Sequence, residues 1–364
     1  DAMSPAARFL EDSLAFADEV VAGTRKVKRP HQPGALERNT VWPLAVNTAR
    51  KMLRERIGTV AKSPYAALDL LAGAKSSTKA AGFAAEDDVL AELIAGDQFR
   101  ASVYAFMLTQ KRAKITPGAP EKEHALPITK VGVVGGGLMA RQFAFQILRR
   151  LEVPVVISDI SEERVADATA WMEGEIKTLL EKGRLHSDIA NKLRGLIHGT
   201  TSMADFADCD LVLEAVFEEI GVKREVSQEL EKHVSPEAIV ASNTSSLSIG
   251  EIASVLKHPE RMVGIHFFNP VAVMPLVEVV KADKSSDGAL ATGVALVNKL
   301  RKTAIVTADT TGFVVNRLLA KLLGEAMHAI EVGTPYEVVD ESVTPLGLPM
   351  GPLALLELVG LQVG

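Results

Sequence analysis

The chain has 364 residues, a formal net charge of −6, and 47% hydrophobic and 24% charged residues, enough chain for two or three globular domains. The acidic balance argues against a general nucleic-acid binder. A single cysteine, Cys209, excludes an internal disulfide, and no apolar run reaches the ~20 residues that a membrane span needs.

The opening residues mix charges into a helical pattern, unlike a signal peptide. The chain starts without methionine and ends in LALLELVGLQVG, an apolar helix pattern with no stop signal. Both ends read as cuts inside a larger protein. Residues 1–114 read as helical. Phe99, Val103, Phe106 and Met107 fall on one helix face, and Lys111, Arg112 and Lys114 follow in its last turn, where cations complement the dipole. The acids Glu86, Asp87, Asp88 and Glu92 read as solvated helix charges. Residues 115–129 carry three prolines and a glycine, which is linker chemistry.

From Lys130 the pattern changes. Short β-branched runs (KVGVV, PVVIS, LIHGT, DLVLEA, AIVAS, RMVGIH, LVEVV, TAIVTA) alternate with helical stretches up to residue 309. This predicts a doubly wound, parallel-rich sheet with helices on both faces. Residues 310–364 return to long apolar helices.

The first strand runs into Gly135-Gly136-Gly137-Leu138-Met139-Ala140, the G-x-G-x-x-A turn of a dinucleotide site. Gly135 permits the tight turn. Gly137 lets the backbone approach a pyrophosphate, and Ala140 lets helix pack on strand. Leu138 and Met139 open the helix whose N–H groups and dipole face the phosphates. Asp159 ends the next strand, near the ~20-residue spacing expected for the acid that binds the adenosine ribose. A carboxylate there repels a 2′-phosphate and favours NAD over NADP.

Ligands of open α/β sheets bind beyond the carboxyl ends of strands. Asn243, Thr244, Ser245 and Ser246 follow one such end, and His266 closes another. Asn243 reads as cofactor-binding. Glu278 lies within LVEVV, where a carboxylate needs a partner. Oxidation of an alcohol by hydride transfer needs a base, and a histidine oriented by a carboxylate supplies one. The alternatives are a satisfied core histidine and an exposed edge-strand glutamate. For Asn316, at the start of a helix after Asp309-Thr310-Thr311-Gly312, the alternative is a helix–helix hydrogen bond. No set of residues points to a metal.

GGGLM after a strand, SNTSSL, HFFNPVAVMPLVEVV and TGFVVNR, in that order, resemble the L-3-hydroxyacyl-CoA dehydrogenase family from about Lys130 to the end. The chain has Ala140 where that family commonly has glycine. The resemblance implies NAD as cofactor and oxidation of (S)-3-hydroxyacyl-CoA to 3-ketoacyl-CoA in fatty-acid β-oxidation. It implies His266 as general base, Glu278 as its orienting partner, and Ser245 and Asn316 as hydrogen-bond donors at the reacting end of the substrate. Glu218 and Lys223, in LEAVFEEIGVK, match positions near the cofactor. The stretch 58–114 resembles the region joining hydratase and dehydrogenase parts in multifunctional β-oxidation enzymes of the α-subunit type.

The implied organisation is therefore a crotonase-like remnant and linker helix (1–114), a linker (115–129), an NAD-binding Rossmann domain (130–309) and the start of a truncated C-terminal helical domain (310–364). No hydratase site is expected. An acyl-CoA thioester is the implied substrate, a thiolase subunit a possible partner in the whole enzyme, and the cytoplasm the implied compartment. Two other readings remain open: an NAD-dependent dehydrogenase of a free 3-hydroxy acid, and an NAD-binding fragment without turnover.

Overall fold

The computed structural model describes residues 4–26, 34–112 and 115–359. The chain divides into two compact units, Asp1–Arg100 with Val343–Pro349, and Ala101–Ser342 with Met350–Gly364.

The first unit is helical: α1 (Phe9–Val21), α2 (Trp42–Ile57), α3 (Lys62–Ala74), α4 (Lys79–Ala95) and the beginning of α5 (Asp97–Arg112). Polar contacts tie its helices together. Trp42 Nε1 donates to the Leu71 carbonyl at 2.9 Å, and Gln98 accepts from Lys62 N and donates to Val60 O. Glu86, Asp87, Asp88 and Glu92 are exposed on α4, as read from the sequence. Phe99, Val103, Phe106 and Met107 all fall on α5 but remain 42–61% exposed. Helical period puts residues on one face; it does not say that the face is covered. Lys114 lies outside the described residues.

The second unit is built on eight strands, one for each β-branched run. In chain order they are β1 (Val131–Val134), α6 (Leu138–Leu151), β2 (Val155–Ser158), α7 (Glu162–Glu181), α8 (Ser187–Arg194), β3 (Ile197–Thr200), β4 (Leu211–Glu214), α9 (Ile220–Glu231), β5 (Ile239–Ser242), α10 (Ile249–Ala253), β6 (Met262–Phe267), β7 (Leu276–Lys281), α11 (Asp287–Lys299) and β8 (Thr303–Ala308). The sheet order is β3-β2-β1-β4-β5-β6-β7-β8. Pairing is parallel except between β6 and β7, which form an antiparallel hairpin. The order reverses at β1, which pairs with β2 on one side and β4 on the other. That crevice is where a doubly wound sheet takes its ligand.

Strands β1, β2, β4 and β5 are buried at every position, as parallel strands covered on both faces must be. Alternate residues feed two cores. Val131, Val133, Ile157 and Leu213 pack with Phe143 and Ile147 of α6 and Met172 of α7. Val134, Val212 and Val240 pack on the other face with Leu230 of α9 and Ile252 of α10.

After the sheet come α12 (Val315–Glu331), α13 (Tyr336–Glu341) and α14 (Pro352–Val359). Asp340 Oδ1 accepts the Leu353 and Ala354 N–H groups and so caps α14. The polar segment Asp309–Gly312 before α12 does not cap it: α12 has no side-chain cap from its own N-cap residue, Val314, and its first N–H groups go to Glu278 of β7. Asp309 instead accepts from Ser248 Oγ, Ile249 N and Gly250 N at 2.7–2.8 Å and anchors the start of α10.

Candidate active site

The turn between β1 and α6 has the geometry that a pyrophosphate needs. Gly135 has φ +112°, and a Cβ there would lie 2.7 Å from the Ala215 carbonyl oxygen. Its N–H donates to Ser158 O at 2.7 Å, closing the turn on β2. At Gly137, the N-cap of α6, a Cβ would meet nothing within 4 Å, and no side chain caps the helix. The helix end thus opens onto free space with its dipole aimed outward. Ala140 is fully buried against the core, Met139 packs partly on it, and Leu138 is 51% exposed at the turn. Asp159 accepts the Gly136 N–H on one carboxylate oxygen and the Ile160 N–H on the other, both at 2.8 Å. This fixes the carboxylate beside the glycine turn at the end of β2. These residues fit a dinucleotide.

The Gly135→Ala variant tests the turn. Its Cβ collides with backbone in a region of φ that L-residues avoid, so we expect a loss of about 2–3 kcal/mol and weaker NAD binding. Thermal unfolding with and without NAD measures both; an unchanged Tm would refute the assignment.

Across the switch point, β6 and β7 bring His266 and Glu278 together. They are direct partners in the antiparallel register. His266 Nδ1 donates to Glu278 Oε2 at 2.7 Å, with His266 6% exposed and Glu278 fully buried. Glu278 is therefore not an exposed edge residue, because β8 covers the far side of β7. Its other oxygen accepts the Val314 and Val315 N–H groups at 3.0 Å. Burial pushes the Glu278 carboxyl up, but the His266 bond and the Val315 and Val314 N–H groups outweigh it and hold it below the usual carboxylate range. With Nδ1–H committed to Glu278, the free ring nitrogen is Nε2, a proton acceptor. Phe268 and Phe313 wall the ring at centroid distances of 4.5 and 5.8 Å.

The loop after β5 forms the third side. Glu218 Oε1 accepts from Thr244 Oγ1 (2.7 Å), Ser245 N (2.6 Å), Ser245 Oγ (2.8 Å) and Ser246 N (3.2 Å). Burial pushes the Glu218 carboxyl up, but the Thr244 hydroxyl, the Lys223 charge and the Ser245 donors together hold it low. Asn316 Nδ2 donates to the Ser245 carbonyl at 3.0 Å, so α12 is tied to this loop. Ser245 was read as a donor toward the reacting oxygen. In the structure its hydroxyl proton is spent on Glu218, so the side chain presents lone pairs, and Asn316 keeps one amide hydrogen free. The Asn243 side-chain Oδ1 accepts Phe267 N–H at 3.0 Å and links the ends of β5 and β6. Lys223 is fully buried, 3.5 Å from Glu218.

Three residues at the site escaped the sequence reading. Glu214 ends β4 fully buried, and its signal was the one that exposed Glu278, a carboxylate in a buried strand. Asn269 precedes a cis proline and accepts from Gln142 Nε2 at 3.2 Å. Phe313 has φ +49° at the start of α12, which nothing in its sequence context announces. Among the described residues no cluster of three metal-ligating groups occurs, and no helix is long and apolar enough to cross a membrane.

A glycine turn at the switch point, a carboxylate at the end of β2 and a buried histidine–carboxylate pair on β6 and β7 are the parts of a dinucleotide-dependent oxidoreductase. The chain belongs to the 3-hydroxyacyl-CoA dehydrogenase family, and its cofactor is NAD. Residues 130–310 match the NAD-binding domain of that family and residues 312–364 its C-terminal domain. Among solved structures, M. tuberculosis FadB2 is 37% identical, with 65% of this chain and 84% of that chain covered and a TM-score of 0.61. The (S)-3-hydroxybutyryl-CoA dehydrogenase PaaH1 of Ralstonia eutropha is 35% identical over the same shares, with a TM-score of 0.62. A diketoreductase acting on dicarbonyl compounds is 27% identical over 65% of this chain and 86% of its own, with a TM-score of 0.60.

Proposed function

We propose that this chain oxidises the 3-hydroxyl of an (S)-3-hydroxyacyl-CoA thioester to the ketone. The observation that carries the reading is the buried His266–Glu278 pair, with Nε2 left as the acceptor. Bound NAD supplies the acceptor for the two electrons and the C3 hydrogen. His266 takes the hydroxyl proton at Nε2 and becomes imidazolium, and Glu278 stabilises that charge across the 2.7 Å bond. The imidazolium and the free amide hydrogen of Asn316 meet the charge that grows on the substrate oxygen. Ser245, held by Glu218, accepts a hydrogen bond from a hydroxyl or amide of substrate or cofactor. Gly135, Gly137, Leu138 and Met139 hold the pyrophosphate and Asp159 the adenosine ribose. Glu218, Lys223 and Asn243 order the opposite half of the cofactor site.

The resemblance of residues 58–114 to the joining region of multifunctional enzymes supports a role in fatty-acid β-oxidation. On that reading residues 1–114 are the end of a crotonase-like domain, a thiolase subunit is the partner of the whole enzyme, and the compartment is the cytoplasm. A second reading, oxidation of a hydroxyl not carried on CoA, is favoured by the diketoreductase likeness.

The test measures NADH formation with (S)-3-hydroxybutyryl-CoA and with free 3-hydroxybutyrate. We expect turnover with the thioester alone. Equal turnover of the free acid would overturn the CoA reading. NAD binding without turnover of either substrate would leave a cofactor-binding fragment.

A further inference from the structure

Beneath the loop after β5 lies a charged cluster that proton transfer does not use. Glu214 and Lys223 are both fully buried and pair at 2.9 Å. Glu214 Oε1 also accepts the Val216 N–H at 2.7 Å, and Oε2 accepts Ser242 Oγ at 2.7 Å. Lys223 Nζ continues to Glu218 Oε2 at 3.5 Å. Glu218 is the one member that reaches the surface, its side chain being 38% exposed. A carboxylate–ammonium–carboxylate chain thus runs from the end of β4 to the site.

Taking two charges fully out of water costs several kcal/mol each, and an apolar pair of similar volume is often as stable or more so. Stability therefore does not explain Glu214 and Lys223. Their formal charges, with Glu218, sum to −1. The location says what would feel that charge. Asp159 marks the adenosine side at β2, and the glycine turn holds the pyrophosphate at β1. A dinucleotide lying across the switch point must then put its other half over the ends of β4 and β5, where this cluster ends.

We propose that Glu214 is a positioning residue that keeps this cluster net negative and thereby favours the oxidised cofactor, whose nicotinamide ring is cationic, over the reduced one. The proposal rests on the NAD reading. Lys223 alone with Glu218 would be a neutral pair; Glu214 restores the excess negative charge and fixes the lysine between two acceptors.

Calorimetry on the full chain tests this through the ratio of dissociation constants for NAD and NADH, with no turnover needed. Glu214→Gln makes the cluster neutral and is expected to raise Kd(NAD)/Kd(NADH) about tenfold, the scale of one unit charge felt across the interior. Adding Lys223→Met returns the cluster to −1 and is expected to restore the ratio to within about twofold. Glu218→Gln removes the same charge at the partly exposed end and carries the same expectation, so the test survives if the Glu214 variant fails to fold. An unchanged ratio in the single variants, or a double variant that stays shifted, overturns the proposal. A parent chain that binds neither cofactor overturns the NAD reading itself and is told apart by that result.

Discussion

Replacing His266 by glutamine is expected to lower kcat by about 10²–10⁴-fold, the range for loss of a positioned general base, while the affinity for NAD stays unchanged. The reasoning is geometric. His266 and the glycine turn lie on different strands, and the side chain is held by Glu278 and two phenylalanine rings rather than by any residue of the turn. Glutamine occupies similar space and retains a hydrogen-bond link to Glu278, but it has no atom that accepts a proton at neutral pH. Steady-state kinetics with the thioester, together with cofactor titration, separate the two effects. A variant with parental kcat would remove His266 from the chemistry. A variant that loses NAD binding would show that the histidine shapes the cofactor site.

Glu278→Ala is expected to damage both fold and activity. Three donors depend on this carboxylate: His266 Nδ1–H, Val314 N–H and Val315 N–H. Each buried group left unpaired costs about 1–3 kcal/mol, so we expect a loss of about 3–5 kcal/mol and a frayed start to α12. Because α12 carries Asn316, catalysis suffers twice. Glu278→Gln keeps an acceptor for the helix and should recover most of the stability but little of the rate. Thermal unfolding and kcat for the two variants decide this, and an alanine variant as stable as the parent would contradict it. The parent also carries a pH signature. The Glu278 carboxyl lies below its ordinary value in the folded state, so its stabilising contribution is complete above the unfolded value and is lost as the pH falls through the folded one. In the glutamine variant that share of the acid loss disappears, and stability should fall less steeply between neutral and acid pH.

The sheet was legible because β-branched runs mostly separated by helical stretches leave few topologies, and the glycine turn fixed which end of it binds; the β6–β7 step, joined by a loop alone, is the antiparallel exception. Glu278 was legible as a carboxylate out of place. Its second role was not. A carboxylate shared between a ring nitrogen and a helix start joins residues 36 positions apart, and no local pattern encodes that. Asp309 shows the converse. It stands where a cap for the next helix should stand, yet it turns back to α10, some 59–61 positions earlier. Glu214 stood in the same kind of context as Glu278, inside LEAVFEEIGVK, but Glu218 and Lys223 of that motif took the notice, and the pairing that buries Glu214 with Lys223 lies nine positions away. Ser245 was placed correctly at the strand end. The direction of its hydrogen bond depends on Glu218, which reaches it from another strand's loop.

The proton-transfer pair is also a cross-strand pair. His266 faces Glu278 because β6 and β7 meet in one register, which eight residues of connecting loop, 268–275, only need to return to. Slipping that ladder by one position would set a neighbour of Glu278 opposite His266 and turn the carboxylate to the other face of the sheet. Lengthening or recasting the loop would leave them facing each other. The acid–base machinery and the segment beside it are therefore separable inheritances. New substrate contacts can be tried in the loop, generation after generation, without reopening the question of where the base sits.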